Sequence, residues 1–269
     1  MNRNTTAAVM ADDANYIVHT YSRAPVVFVR GQGSRLWDAD GREYIDCGSG
    51  IAVTSFGIAD EQWQAAVSAQ AAAVQHVSNL YHTAPQARLA AMLCEATGMQ
   101  KVFFGNSGAE ANECAIKAMR KYSSDKYGPG RHTILTLKHS FHGRTLATLA
   151  ATGQDAFHKH FGPFPEGFDY IEPGDTAALA ARLKRGDCCG MLVELVQGES
   201  GVRVVDRQWV QVAAQLCRQW DVLFAVDEVQ TGNGRTGTLY AWQQYGIRPD
   251  LFTTAKGLAG GLPLGACVF

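Results

Sequence analysis

In four places the 269-residue chain sets a reactive or ligand-holding residue directly after an apolar stretch. Asp227 and Glu228 follow Val222-Leu223-Phe224-Ala225-Val226. A carboxylate delivered where a sheet is buried costs several kcal/mol unless it is paired or hydrogen-bonded, so Asp227 calls for a cationic partner. Lys256 closes Leu251-Phe252-Thr253-Thr254-Ala255 in the same way. Partial desolvation there would lower its pKa and give a neutral amine able to attack a carbonyl. Phe104-Gly105-Asn106-Ser107-Gly108-Ala109-Glu110-Ala111 reads as a strand, a tight turn and the start of a helix running to about Tyr122. Its first amides and the Ser107 hydroxyl make an anion cradle. In His139-Ser140-Phe141-His142-Gly143-Arg144-Thr145, Phe141 offers a flat stacking face and Arg144 a planar fork suited to a carboxylate.

Each segment taken alone also has a plainer reading: an N-cap at Ser107, core packing for Phe141, surface or structural ion pairs for Arg144 and Asp227, and a snorkelling stem for Lys256. Sharper alternatives fail on the pattern. The Ser107 turn lacks the Lys-Ser/Thr pair of a Walker A loop and the glycines of a dinucleotide fingerprint, which leaves a Walker B reading of Asp227 without a phosphate site. Gly105-Asn106-Ser107-Gly108-Ala109 is one residue from a hydrolase nucleophile elbow, but that arrangement needs a later histidine and none follows His160. His139 and His142 lack a third ligand, and no metal site is expected. Together the four segments supply complementary parts of one ligand: a phosphate cradle, a stacking face, an anion for a pyridinium and an amine for a Schiff base. That ligand is pyridoxal 5′-phosphate.

The elements that must position these residues follow an α/β grammar. Residues 26–47 alternate as a small antiparallel meander around the Asp40-Gly41 turn. Helical patterns at 61–77 and 86–97 then give way to apolar strands at 102–104, 133–137, 191–196, 222–228 and 251–255, separated by helix-length segments. This order predicts a mostly parallel sheet with flanking helices, whose ligands bind beyond the strands' carboxyl ends. Basic and acidic residues number 24 and 25, so no global field is available to hold nucleic acid or an anionic membrane. Hydrophobic residues at 46% against 18% charged predict a large core. Seven cysteines without zinc spacing suit a reducing cytoplasm. No apolar run reaches the length of a membrane span. The chain stops at Cys267-Val268-Phe269, inside what reads as a strand, and is expected to be cut short at its C-terminus.

The segments FFGNSGAEANECAIKAMRKY (103–122), HSFHGRTLATLAATGQ (139–154), QGESGV (197–202) and 226–266 closely resemble the class III pyridoxal-phosphate aminotransferases. The likeness covers about residues 16–269. Tyr21-Ser22-Arg23-Ala24-Pro25, His76-Val77-Ser78-Asn79-Leu80-Tyr81 and 141–154 are most similar to the branch that acts on N2-acetylornithine.

The resemblance implies an aspartate-aminotransferase-like, fold type I architecture. Residues 1–50 would form an N-terminal arm and meander belonging to a small domain, and residues 51–269 an incomplete large cofactor-binding domain whose C-terminal small domain is absent. It further implies that Ser107, Gly108 and Ala109 hold the cofactor phosphate and that Phe141 and Val229 sandwich the ring. Asp227 would bond the pyridine nitrogen, Gln230 the phenolic oxygen, and Lys256 would form the Schiff base; Glu228 is counted with this cofactor-binding set. Arg144, Glu199 and Tyr21 are expected at the substrate, Glu199 as the residue that pairs with a more C-terminal arginine. The implied activity is a cytoplasmic, homodimeric exchange in arginine biosynthesis, in which N2-acetylornithine gives its terminal amine to 2-oxoglutarate, yielding glutamate. Ornithine, succinylornithine and 4-aminobutyrate are alternative donors, and an inactive truncated scaffold is the alternative to any activity. Two segments depart from the family pattern: Gly57-Ile58-Ala59-Asp60-Glu61 replaces a Gly-His-x-His-Pro element, and Glu194-Leu195-Val196-Gln197 replaces Glu-Pro-x-Gln.

Overall fold

A computed structural model describes residues 5–269, which divide into two compact units, 5–80 and 81–269. In the first, helix α1 (Thr6–Tyr16) is capped by the Thr5 hydroxyl and precedes an antiparallel meander of β1 (Phe28–Gln32), β2 (Arg35–Asp38) and β3 (Glu43–Ile45). The Asp40-Gly41 turn is organised by buried Asp38, whose carboxylate accepts the amides of Asp40 (3.0 Å) and Arg42 (2.8 Å) and the Tyr44 hydroxyl (2.8 Å). Helix α2 (Glu61–Ala73), capped by Asp60, ends four residues before its apolar pattern does.

The second unit is built on a seven-stranded sheet: β4 (Val102–Gly105), β5 (Thr133–Leu137), β6 (Phe168–Ile171), β7 (Cys188–Val193), β10 (Leu223–Asp227), β11 (Leu251–Thr254) and β12 (Gly265–Val268). The spatial order is β4-β12-β11-β10-β7-β5-β6, and β8 (Val196–Gln197) with β9 (Arg203–Val204) form a separate hairpin. β12 runs antiparallel to both its neighbours, whereas the pairs β11–β10, β10–β7, β7–β5 and β5–β6 are parallel. The expected strand at 191–196 starts earlier, at Cys188, and ends at Val193; Val196 then turns away to pair with Val204. β6 was not foreseen from the sequence.

Helices α3 (Ala84–Thr97), α4 (Gly108–Tyr127), α5 (Leu146–Ala151), α6 (Asp155–His158), α7 (Thr176–Leu183), α8 (Arg207–Gln219) and α9 (Trp242–Tyr245) complete the unit. Successive strand residues point to opposite faces, and both faces are covered. Met191, Val193, Phe224 and Val226 pack with Trp209, Val210, Ala213 and Cys217 of α8. Leu192, Ala225, Leu251 and Cys267 pack on the other side with Ala115, Ile116 and Met119 of α4. Burial on two faces explains why these strands read as unbroken apolar runs. α4 extends to Tyr127, where Gly128 ends it, beyond the Tyr122 expected from sequence. Among the described residues no helix is long and apolar enough to cross a membrane, and all seven cysteines are free thiols.

Candidate active site

Asp227 is the last residue of β10, and because Ala225 faces α4, so does Asp227. Its carboxylate is 4% exposed. Oδ2 accepts from Asn112 Nδ2 at 2.8 Å and lies 2.8 Å from His142 Nδ1, while Oδ1 accepts the Val229 amide at 3.0 Å. The burial that called for a cation is thus met, within the chain, by hydrogen-bond donors. Asn112 is itself fully used: Nδ2 also donates to the His142 carbonyl (2.7 Å) and Oδ1 accepts the Thr253 hydroxyl (2.7 Å). The His142 ring is buried, with Nε2 lacking a hydrogen-bond partner. Asn112 and His142 were not picked out as site residues from the sequence. For Asn112 a signal existed, since it is a polar residue on the buried face of α4, one position from Ala111 and three from Ala115.

The Ser107 turn lies beside this acid. Ser107 caps α4, its hydroxyl accepting the Glu110 amide at 3.1 Å, and Glu110 reaches back to the Asn106 amide at 2.7 Å. These hydrogen bonds from Asn106 and Ser107 hold the Glu110 carboxyl below the usual carboxylate range. Close approach dictates the glycines. A Cβ at Gly108 would meet Val229 Cγ1 at 2.7 Å, and one at Gly265 would meet the Ser107 carbonyl at 2.1 Å. A Cβ at Gly143 would likewise meet the Ala109 side chain at 2.9 Å. The cradle therefore packs on one side against Val229 and on another against the 139–145 segment.

That segment leaves β5 and carries Phe141, whose amide donates to Glu194 Oε2 at 2.8 Å and whose ring meets Phe157 edge-on at 5.7 Å. The Arg144 guanidinium carbon sits 5.9 Å from the Phe141 ring centre and 5.6 Å from that of Phe157. Gln230 lies against Gly198, where a Cβ would fall 1.4 Å from its Oε1. Glu199 accepts Gln154 Nε2 at 2.7 Å. Glu228 turns to the opposite face from Asp227 and is committed to the backbone there, accepting the amides of Ala241 (3.0 Å) and Trp242 (2.8 Å) and the Thr231 hydroxyl (2.6 Å). It thus anchors the loop that follows Gln230. Tyr21 belongs to the first unit and is 59% exposed.

Lys256 opens a single 3-10 turn after β11 and holds φ at +47°, a left-handed conformation costly for a residue with a side chain. Burial pushes its amine below the ordinary lysine value; the Asp227 charge opposes the shift and Arg235 adds to it. The acid and the amine thus act on each other within one site.

The arrangement fits pyridoxal phosphate. Asp227 Oδ1 keeps acceptor capacity beyond the Val229 amide, the glycines at 108 and 265 let Val229 and β12 pack directly against a helix start whose amides suit a phosphate, and the partly desolvated amine is near the acid. A family profile described as aminotransferase class-III matches residues 16–269, and the chain belongs to that family. It is 53% identical over 254 residues to an acetylornithine aminotransferase of Haemophilus ducreyi, covering 94% of this chain and 65% of that protein. It is 46% identical to a succinylornithine transaminase of Citrobacter koseri, covering 93% of this chain and 62% of that one. Among solved structures, the ornithine aminotransferase of Toxoplasma gondii superposes with a TM-score of 0.93 at 32% identity, over 98% of this chain and 63% of that one. A second structure of that enzyme is described as having partial occupancy of PLP at the active site. The N-acetylornithine aminotransferase of Stenotrophomonas maltophilia gives 0.82 at 38% identity, over 96% of this chain and 64% of that one. The fold is therefore that of the class III aminotransferases. The chain spans between 62% and 65% of the length of these curated relatives.

Proposed function

We propose that this chain carries the cofactor site of a pyridoxal-phosphate transaminase that moves the terminal amine of N2-acetylornithine to 2-oxoglutarate in arginine biosynthesis. The observation that carries the reading is the meeting of Asp227, buried among donors, with the desolvated amine of Lys256 at the carboxyl ends of adjacent strands. Pyridoxal phosphate, when bound, supplies an electron sink for breaking bonds at the carbon that bears the amine. The chain's own residues do the rest. Ser107, Gly108 and Ala109 bind phosphate at the start of α4, and Phe141 and Val229 hold the ring between them. Asp227 keeps a proton on the pyridine nitrogen, each pKa unit of that preference being worth about 1.4 kcal/mol. Gln230 serves the phenolic oxygen. Lys256 would hold the cofactor through its amine and, as a neutral base, would carry a proton to and from the substrate carbon. Arg144 grips the far carboxylate, so that the terminal amine is presented rather than the acylated nitrogen. Glu199 completes the substrate side.

A second reading has specific support. The succinylornithine and ornithine enzymes among the relatives keep those donors in play for the same site. The protein is further proposed to work in the cytoplasm as a homodimer. The test is kcat/KM measured with 2-oxoglutarate for N2-acetylornithine, succinylornithine, ornithine and 4-aminobutyrate. A preference for N2-acetylornithine of about tenfold or more supports the assignment, and a higher value for any other donor reassigns the substrate within the class.

A further inference from the structure

The site holds a second buried acid. β7 and β10 pair in parallel with Val193 opposite Val226. Glu194 and Asp227 come next along each chain, about one strand spacing of 4.8 Å apart. Both turn toward the face covered by α4, two positions beyond Leu192 and Ala225. Exposure is 6% for Glu194 and 4% for Asp227. Neighbouring carboxyl groups in a dry site disfavour the state in which both are ionised. Hydrogen bonding decides which of them takes the charge. Asp227 has three close donors, Asn112, His142 and the Val229 amide. Glu194 has the Phe141 amide.

We propose that Glu194 keeps its proton at neutral pH and is a positioning residue: an uncharged acid that fixes the Phe141 backbone for ring stacking and leaves Asp227 as the single anion of the site. The consequence for catalysis rests on the pyridoxal-phosphate reading; the proton on Glu194 does not. Burial and the Asp227 charge push the Glu194 carboxyl well above the usual range, against the Phe141 amide and Lys256. The charged groups that bear on it are Asp227 from β10, Lys256 from the turn after β11 and Glu199 from the loop after β8. A neutral Glu194 leaves Lys256 with one strong anionic neighbour instead of two, which keeps its amine available as a base.

The test is infrared difference spectroscopy of protein labelled with carbon-13 glutamate, comparing wild type with Glu194→Gln at neutral pH, with and without pyridoxal phosphate. The expected result is a label-shifted C=O band of an un-ionised carboxyl that is present in the wild type and lost in the variant in both states. A carboxylate band alone overturns the proposal. In loaded protein, Glu194→Gln is expected to leave the pH midpoint of the visible cofactor band in place, whereas a fall of about one unit would show that an anion had been removed and would overturn it. Glu194→Ala, which strands the Phe141 amide, is expected to weaken pyridoxal phosphate about tenfold, with Glu194→Gln restoring it. Failure of any protein to take up pyridoxal phosphate would sink the cofactor reading, while the infrared result would still decide the state of Glu194.

Discussion

At the scale of single residues, the site works by distributing charge among neighbours that are remote in sequence. Asp227 depends on Asn112, 115 positions earlier, and on His142, 85 positions earlier. Neither partnership leaves a trace in local spacing. The apolar run before Asp227, by contrast, is local and could be read directly, as could the one before Lys256. Asp227→Asn keeps the shape of the side chain but removes the charge opposite any pyridine nitrogen. It is expected to lower kcat by about a hundredfold or more, with donor KM little changed, in steady-state kinetics. Lys256 gives the pH dependence. Its amine is lowered mainly by burial and further by Arg235. A base with a lowered pKa becomes neutral, and so active, at lower pH than an ordinary lysine, and kcat rises as pH climbs through its folded value. Arg235→Ala removes a contribution that lowers it. The rising limb of the kcat profile is therefore expected to move to higher pH; a shift to lower pH would contradict the placement of Lys256.

At the scale of elements, alternation along the strands assigns each residue to a face. Thr253 and Asp227 fall on the α4 side, with Leu251 and Ala225, while Glu228 falls on the α8 side and becomes a loop anchor. Adjacent residues of one motif thus have different work, a distinction that the Asp-Glu-Val-Gln run alone does not carry. β5 has the bounds expected from sequence and β11 ends one residue short of the expected 251–255, because apolar and β-branched residues fill both runs. β6 was not, because Phe168-Asp169-Tyr170-Ile171 carries an acid that pairs with Arg182 of α7 at 2.5 Å, a contact made only after folding. Nor does the sequence disclose that β12 runs antiparallel, since strand direction is fixed by the preceding connection and not by composition. β12 has a direct role in the site, through Gly265 against the Ser107 carbonyl. The Ser107 carbonyl is backbone and cannot swing aside, so Gly265→Ala is expected to cost about 1–3 kcal/mol in denaturant unfolding and to weaken pyridoxal phosphate in the same variant. Unchanged values for both would contradict the close packing of β12 on the cradle.

At the scale of the whole molecule, the large unit brings the Ser107 turn, the Phe141 segment, Asp227 and Lys256 to one end of the sheet, where open α/β folds bind ligands. With a net charge of −1 the chain has no long-range field, so recognition of an anionic cofactor and substrate falls to local groups. The central claim is that the acid at 227 and the amine at 256 serve one cofactor. The most direct measurement is borohydride reduction of the pyridoxal-phosphate-loaded protein followed by peptide mapping of the fixed label. The account predicts a single pyridoxyl group on Lys256. A label carried by another lysine, with Lys256 unmodified, would contradict it.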